Sequence, residues 1–236
     1  MSLQIPVELA VVSARIAKLK PQVRKRDLRI HLGYRYRYKY FSPIDEERIE
    51  HLRDVLVRSR FWLSAPDELN DPFELQCEIM FDGTVAQKRK RLDNLLKDDG
   101  WRHAAARRKK VTELMSRGYD AMLRIIEEKH KNSIKTTGVC CFAGSPLSIL
   151  MWSHYANKHR GVCLQFDTVK DWIPFLCSCR INYTNDYPLI KWTTDHAKDL
   201  GQFISQKHLG WKYEDESRMI YLEAAHEYVP ECSRKR

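Results

Sequence analysis

No stretch of the 236 residues approaches the roughly 20 consecutive apolar residues that a membrane-spanning helix needs. The first residues lack a signal-peptide pattern, because "ELAVVSARIAKLK" is apolar on one stripe only and is broken by charge. A cytoplasmic protein with no membrane partner is therefore expected. C-x-x-C is missing too, so a zinc site would have to gather ligands from scattered positions, and no metal is expected. The P-loop, the H-E-x-x-H helix and a serine in a nucleophile elbow are all absent. So is the glycine fingerprint of a doubly wound dinucleotide fold, and no internal repeat is present. Seven cysteines is an odd number; Cys140 and Cys141 are adjacent, and Cys177 and Cys179 are one residue apart. Neither pair is spaced for an easy internal disulfide, which points to reduced, buried thiols on strands.

What is present favours a packed core. The chain is 43% apolar with six tryptophans, well away from disordered compositions, and is long enough for one domain or a domain with an inserted lobe. Its formal net charge is +10, which favours an anionic partner: a nucleic acid, a nucleotide or an acidic protein. The excess gathers in "KLKPQVRKRDLRIHLGYRYRYKY" (18–40) and in "KRKRL" and "RRKK" (88–110). The second cluster fits a solvated helix face or a nucleic-acid groove equally well.

Hydrophobic periodicity orders the rest. Residues 7–20 read as an amphipathic helix behind Pro6, followed by a basic linker to residue 33. "YRYRYKY" (34–40) has the strand period, with four tyrosines on one face and three cations on the other. Ser42-Pro43 reads as cap and first residue of a helix to about Arg58. A strand over 60–64 and a firm loop, "APDELNDPFE", come next, then a strand near 74–81. Residues 84–132 read as an inserted helical lobe broken near Gly100. Strands are expected over 137–142, 161–167, 178–184 and 213–223, with a helix capped at Ser145 and ended by Gly161, and another over 193–208. Without a regular βαβ rhythm, this order predicts an α+β fold: a mixed or antiparallel central sheet with flanking helices. One domain over 34–228 and a tail over 229–236 complete the expected organisation.

Four stretches, "YKYFSPIDEERIEHLRDVLVRSRFWLSAPDELNDPFE", "CFAGSPLSILMWSHYANKHRGVCLQFD", "INYTNDYP" and "WKYEDESRMI", occur here in an order that resembles a bacterial family, domain of unknown function 2971. The resemblance runs over roughly residues 36–225, interrupted by the helical lobe. It departs at Ala143-Gly144, where the family more often has a serine and an acid. It implies a shared fold and no particular reaction.

The chemistry must come from the residues. On a strand over 213–223, Glu214, Glu216 and Arg218 share a face. Two carboxylates so spaced suit glycosyl transfer from NAD, one stabilising the ribosyl cation and the other handling the acceptor's proton. The order of elements is similar to that of ADP-ribosyltransferases: a basic early strand, an aromatic middle segment and a late Glu-x-Glu. That likeness implies Glu216 as the catalytic carboxylate, Glu214 as its acceptor-side partner, and Arg37 or Lys39, beside Tyr40, on the pyrophosphate. Trp152 and Tyr155 would stack on the nicotinamide. His154 could hold a ribose or phosphate or move a proton, and Asn70 and Asp71 would close a loop over the ligand together with Ser64. A toxin or phage-defence effector is the setting such chemistry suggests. Other readings stay open. Glu216 and Arg218 can be a surface ion pair, Asp71 a local cap, and the Trp152 helix simply core. The whole protein can be a nucleic-acid-binding or partner-binding module, with "YRYRYKY" as a stacking platform, or a metal-free nuclease using His154 and Tyr155.

Overall fold

The computed structural model describes residues 34–71, 73–80, 82–170, 175, 178–193, 205–221 and 225–230. The expected helix over 7–20, the basic linker and most of the helix expected over 193–208 lie outside them. The fold is α+β, and the chain divides into two compact units: Met1–Glu74, Ser133–Asn185 and Lys207–Arg236 form one, and Leu75–Asn132 with Asp186–Gln206 the other.

The first unit is built around β4 (Gly138–Phe142). Along one edge it pairs antiparallel with β10 (Ser217–Tyr221), which pairs in turn with β6 (Ser178–Arg180). Its other edge is shared. Ala143 bridges Tyr38 of β1 (Tyr36–Phe41), and Val139 bridges Ser64, just past β2 (Arg60–Trp62). β1 also pairs with β5 (Val162–Asp167), and β2 with β11 (Tyr228–Pro230), which takes in the first residues of the expected tail. Cys140, Phe142, Met219 and Tyr221 alternate onto one face of this sheet. There they meet Phe41, Val55, Phe61, Leu63, Phe166 and Phe175 in an aromatic core. Phe142 touches Phe61, Phe166 and Phe175 at ring separations of 5.4, 5.6 and 5.0 Å, so this one residue ties three other segments together.

Several element ends differ from expectation. α1 is Glu46–Val57, capped by Asp45, whose carboxylate accepts from the Arg48 N–H; Ser42 lies in the turn ahead of it. Asp54 of that helix is fully buried, and it accepts from Arg58 Nη1 at 2.6 Å and Arg60 Nε at 2.8 Å. The helix carrying Trp152, α5, is Ile149–Tyr155, and its cap is Ser148, not Ser145. It stops through three left-handed residues, Asn157, Lys158 and His159, rather than at Gly161. Gly161 answers a different need: a Cβ there would sit 2.1 Å from the Phe41 carbonyl oxygen. The long strand expected over 178–184 is two, β6 and β7 (Asn182–Thr184).

The tyrosines of 34–40 do not share an open face. Tyr40 is buried, Tyr38 is half-buried against the same apolar cluster, and only Tyr36 lies open at the edge. On the other face it is a cation, Arg37, that is fully buried. The stretch is a sandwiched strand and not a stacking platform.

In the second unit, α2 (Val85–Asp98), α3 (Ala104–Ser116) and α4 (Tyr119–Lys135), whose end continues into the first unit, follow β3 (Glu78–Met80). β3 pairs in parallel with β8 (Leu189–Lys191). Leu92, Leu96, Val111, Met122, Ile126, Ile79 and Trp192 form a core of their own. The break expected near Gly100 is there, with Gly100 at φ +87° closing α2.

Replacing Gly161 with alanine should push the paired strands β1 and β5 apart and lower stability by about 1–3 kcal/mol, read from urea unfolding. Asp54→Asn should cost a similar amount at neutral pH. Burial alone would raise the Asp54 carboxyl, but the hydrogen bonds from Arg58 and Arg60 outweigh it and hold the group at about 2, below its ordinary 3.8. The stability it adds is therefore complete above about 3.8 and is lost as pH falls towards 2, so the deficit of Asp54→Asn should shrink over that window.

Candidate active site

Glu214, Glu216 and Arg218 do not lie along one strand. Leu209–Glu214 is a 3₁₀ turn, Asp215 is left-handed at φ +42°, and the strand begins only at Ser217. A kink thus turns Glu214 and Glu216 towards the same space, which regular alternation would have done at larger separation. Two arginines grip the kinked residue. Arg37 Nη1 donates to the Asp215 carbonyl at 2.6 Å and to its carboxylate at 3.3 Å, and Arg180 reaches the same carboxylate at 3.5 Å. Arg37 is itself sandwiched, its guanidinium 3.7 Å from the centre of the Tyr34 ring. Gly144 leaves the room the kink requires, since a Cβ there would be 1.7 Å from Asp215 Oδ2. Position 144 has no room for a side chain because the Asp215 carboxylate occupies the space.

Beneath the kink lies a buried ionic network. Lys207, in β9 (Gln206–His208), donates from Nζ to Glu214 at 2.7 Å and to Glu216 at 3.0 Å, with Glu74 at 3.8 Å. Arg218 forks between two carboxylates, giving Nε and Nη2 to Glu216 at 2.9 and 3.0 Å and Nη1 to Glu74 at 2.5 Å. Tyr155 completes the set by donating its hydroxyl to Glu214 at 2.5 Å, and the Tyr183 hydroxyl accepts from the Glu216 N–H at 2.7 Å. All five charged residues are at most 7% exposed. The pairing of Glu216 with Arg218 is thus a deep interaction and not a surface one.

Three carboxylates face two cations, and the two glutamates at the kink respond in opposite directions. Burial works against the ionised form of Glu216, but Arg218 and Lys207 outweigh it and hold that carboxyl far below the usual range. In Glu214 burial dominates, Glu216 adds repulsion, and the single cation Lys207 only partly offsets them, so its carboxyl is raised. Burial would lower the Lys207 ammonium, yet Glu216 and Glu214 raise it well above its ordinary value. Burial and the neighbouring Glu214 together push the Tyr155 phenol up as well, leaving it a hydrogen-bond donor.

This network floors a cleft of about 460 Å³. Lys39, Tyr40, Ser64, Asn70, Cys141, His154, Tyr155, Glu214 and Glu216 line it, so most of the residues singled out in the sequence do come together. Lys39 also donates to the Cys141 carbonyl at 3.2 Å, and Tyr40 to that of Ser145 at 2.7 Å. His154 is exposed at the mouth, its ring 6.1 Å from that of Tyr213. Four candidates are placed elsewhere. Trp152 gives its indole N–H to the Pro146 carbonyl at 2.7 Å and packs edge-on against Tyr40, so it braces the loop ahead of α5. Arg37 and Arg218 are taken up by Asp215 and by Glu74 with Glu216, and Asp71 accepts from the Phe73 N–H as a local cap. Residues absent from the sequence reading include Glu74, Lys207, His51 and Trp62, all of which line the cleft. Glu74 closes the quoted "LNDPFE" and could have been noticed there. Lys207 fell within an expected helix and gave no signal.

Replacing Lys207 with methionine should cost about 3–5 kcal/mol at neutral pH, because three buried carboxylates lose a cation. Glu214, already raised above its ordinary 4.5, would then hold a proton more tightly still. The deficit should therefore narrow as pH falls towards that value, in denaturant melts followed at pH 7 and pH 5.

Residues 151–219 match the family model described as Protein of unknown function (DUF2971). No curated protein and no solved structure matches the chain. The matched segment runs from α5 to β10 and contains Tyr155, Lys207, Glu214, Glu216 and Arg218, the larger part of the ionic network.

Proposed function

We propose that the cleft performs glycosyl transfer from NAD, passing ADP-ribose to a nucleic-acid or protein acceptor. The observation that carries this reading is the pair of carboxylates, Glu214 and Glu216, brought onto one lysine at the cleft floor, with the Glu216 carboxyl lowered and that of Glu214 raised. Breaking the bond between nicotinamide and ribose sends the electron pair off with nicotinamide and leaves positive charge on the ribose. Glu216, its carboxyl held low by Arg218 and Lys207, supplies negative charge from a buried position. Glu214 in its ionised form takes the proton from the acceptor as the new bond to the ribose forms. Tyr155 orients Glu214 through its hydroxyl, and Lys39 is a cation on the cleft wall available to the pyrophosphate. Arg37 acts through Asp215 as a positioning residue, and Trp152 braces the loop ahead of α5.

The test is transfer of label from adenylate-labelled NAD to RNA, DNA or protein, with Glu214→Gln and Tyr155→Phe beside wild type. Glu214→Gln keeps a neutral acceptor for Lys207 and should retain the fold while transfer falls about 10²–10⁴-fold. The wild-type rate should rise through an acid limb lying above the ordinary carboxyl value of 4.5, because Glu214 must lose a raised proton. Folded wild type that leaves NAD intact, or a Glu214→Gln variant that transfers as well as wild type, would sink the reading.

A further inference from the structure

The second unit carries a feature that the cleft chemistry does not use. Between Val85 and Arg117 there are eleven Lys and Arg against four Asp and Glu, so this stretch holds +7 of the chain's +10. It folds as a hairpin of α2 and α3. Leu92, Leu96 and Val111 are buried between the helices and the rest of that unit's core, which turns the cations outward. Arg107 holds Asp93 at 3.0 Å, and Lys110 and Arg117 both hold Glu113. Lys90, Lys97, Arg102, Arg108 and Lys109 are exposed and have no ion pair among the described residues.

Their positions make a surface. Lys90 and Lys97 are seven apart, two turns along one stripe of α2. On the facing helix Arg108 is one turn from Thr112, which receives a hydrogen bond from Arg89 at 3.2 Å. Arg89 and Arg108 thus fall on the seam where the helices meet. At the tip stands Trp101, 41% exposed, in an apolar-poor turn. Its backbone is fixed at both ends, with the N–H on the Leu96 carbonyl at 2.9 Å and the carbonyl receiving Arg107 Nη1 at 2.8 Å. An indole on a tethered backbone, beside Arg102 and His103, loses little freedom when a flat ring settles on it.

We propose that the α2–α3 hairpin is a docking surface for single-stranded nucleic acid. The cation stripe tracks the phosphates, and Trp101 stacks on an unpaired base. An acidic protein would meet the charge but would leave the indole without a partner, and a duplex would keep its bases stacked among themselves. The proposal stands on the second unit alone and holds whether or not the cleft uses NAD.

The full-length protein, without NAD, is titrated into a fluorescent 20-nucleotide single strand, of RNA and of DNA in parallel, at several salt concentrations. The triple variant Lys90→Gln/Lys97→Gln/Arg108→Gln alters exposed side chains only, and circular dichroism checks that its fold is intact. It should bind at least tenfold more weakly, with a salt dependence shallower by about 2 in log–log slope, as expected for three lost phosphate contacts. Trp101→Ala should weaken binding about fivefold or more with the salt slope unchanged. Absence of binding at 50 mM salt, wild-type affinity in the triple variant, or an equal grip on duplex or inorganic polyphosphate would each overturn the proposal.

Discussion

Five charged side chains packed out of water are the constraint on which the first unit depends. An unpaired ion in such a place costs several kcal/mol, so Glu74, Lys207, Glu214, Glu216 and Arg218 must be delivered together or the arrangement fails. They come from a loop near residue 74, from β9, from the 3₁₀ turn, from the link after it and from the strand that follows. Holding them in register fixes the relative placement of those segments more strictly than apolar burial does, since a hydrogen-bonded ion tolerates far less displacement than a packed methyl group. The left-handed Asp215 is a consequence. The kink brings two glutamates separated by one residue onto the same lysine.

The sheet makes this possible by being buried on both faces. On one side Cys140, Phe142, Met219 and Tyr221 merge into an aromatic core. On the other, Arg218 stands between Cys141 of β4 and Cys179 of β6, its register neighbours. Burial pushes both thiols up, Cys179 to about 11, so they remain neutral walls for the ionic site and are poor nucleophiles themselves. Strand β1 repeats the theme, with Tyr40 packed on one side and Arg37 buried on the other, where it reaches Asp215. Apolar and ionic packing are therefore layered through one sheet, and a cleft opens where the ionic layer meets the surface.

The second unit solves a simpler problem. Its helices bury one apolar stripe each, and Trp192 near the end of β8 joins that core. Solvent takes the opposite faces, where Lys90, Lys97 and Lys109 are exposed. The two units handle charge differently: the first holds five charged side chains paired out of water, and the second keeps several cations facing solvent.

Periodicity in the sequence was enough for the α+β class, for α1, for the charged helices with their break at Gly100, and for the strands β1, β4 and β5, because each of these depends on neighbours two to four residues away. Composition and motif order were enough to gather Lys39, Tyr40, His154, Tyr155, Glu214 and Glu216 as candidates, and the tertiary structure places all six on one cleft. What no local pattern contained was the partner of each charge. Arg218 looks like a surface residue until Glu74, 144 positions away, is seen against it, and Lys207 reads as one more helical lysine until three carboxylates surround it. Element type follows from short-range sterics and hydrophobic spacing, which a sequence displays directly. Whether a given carboxylate keeps or sheds its proton depends on burial and on charges brought close by the fold, and only the tertiary structure decides that.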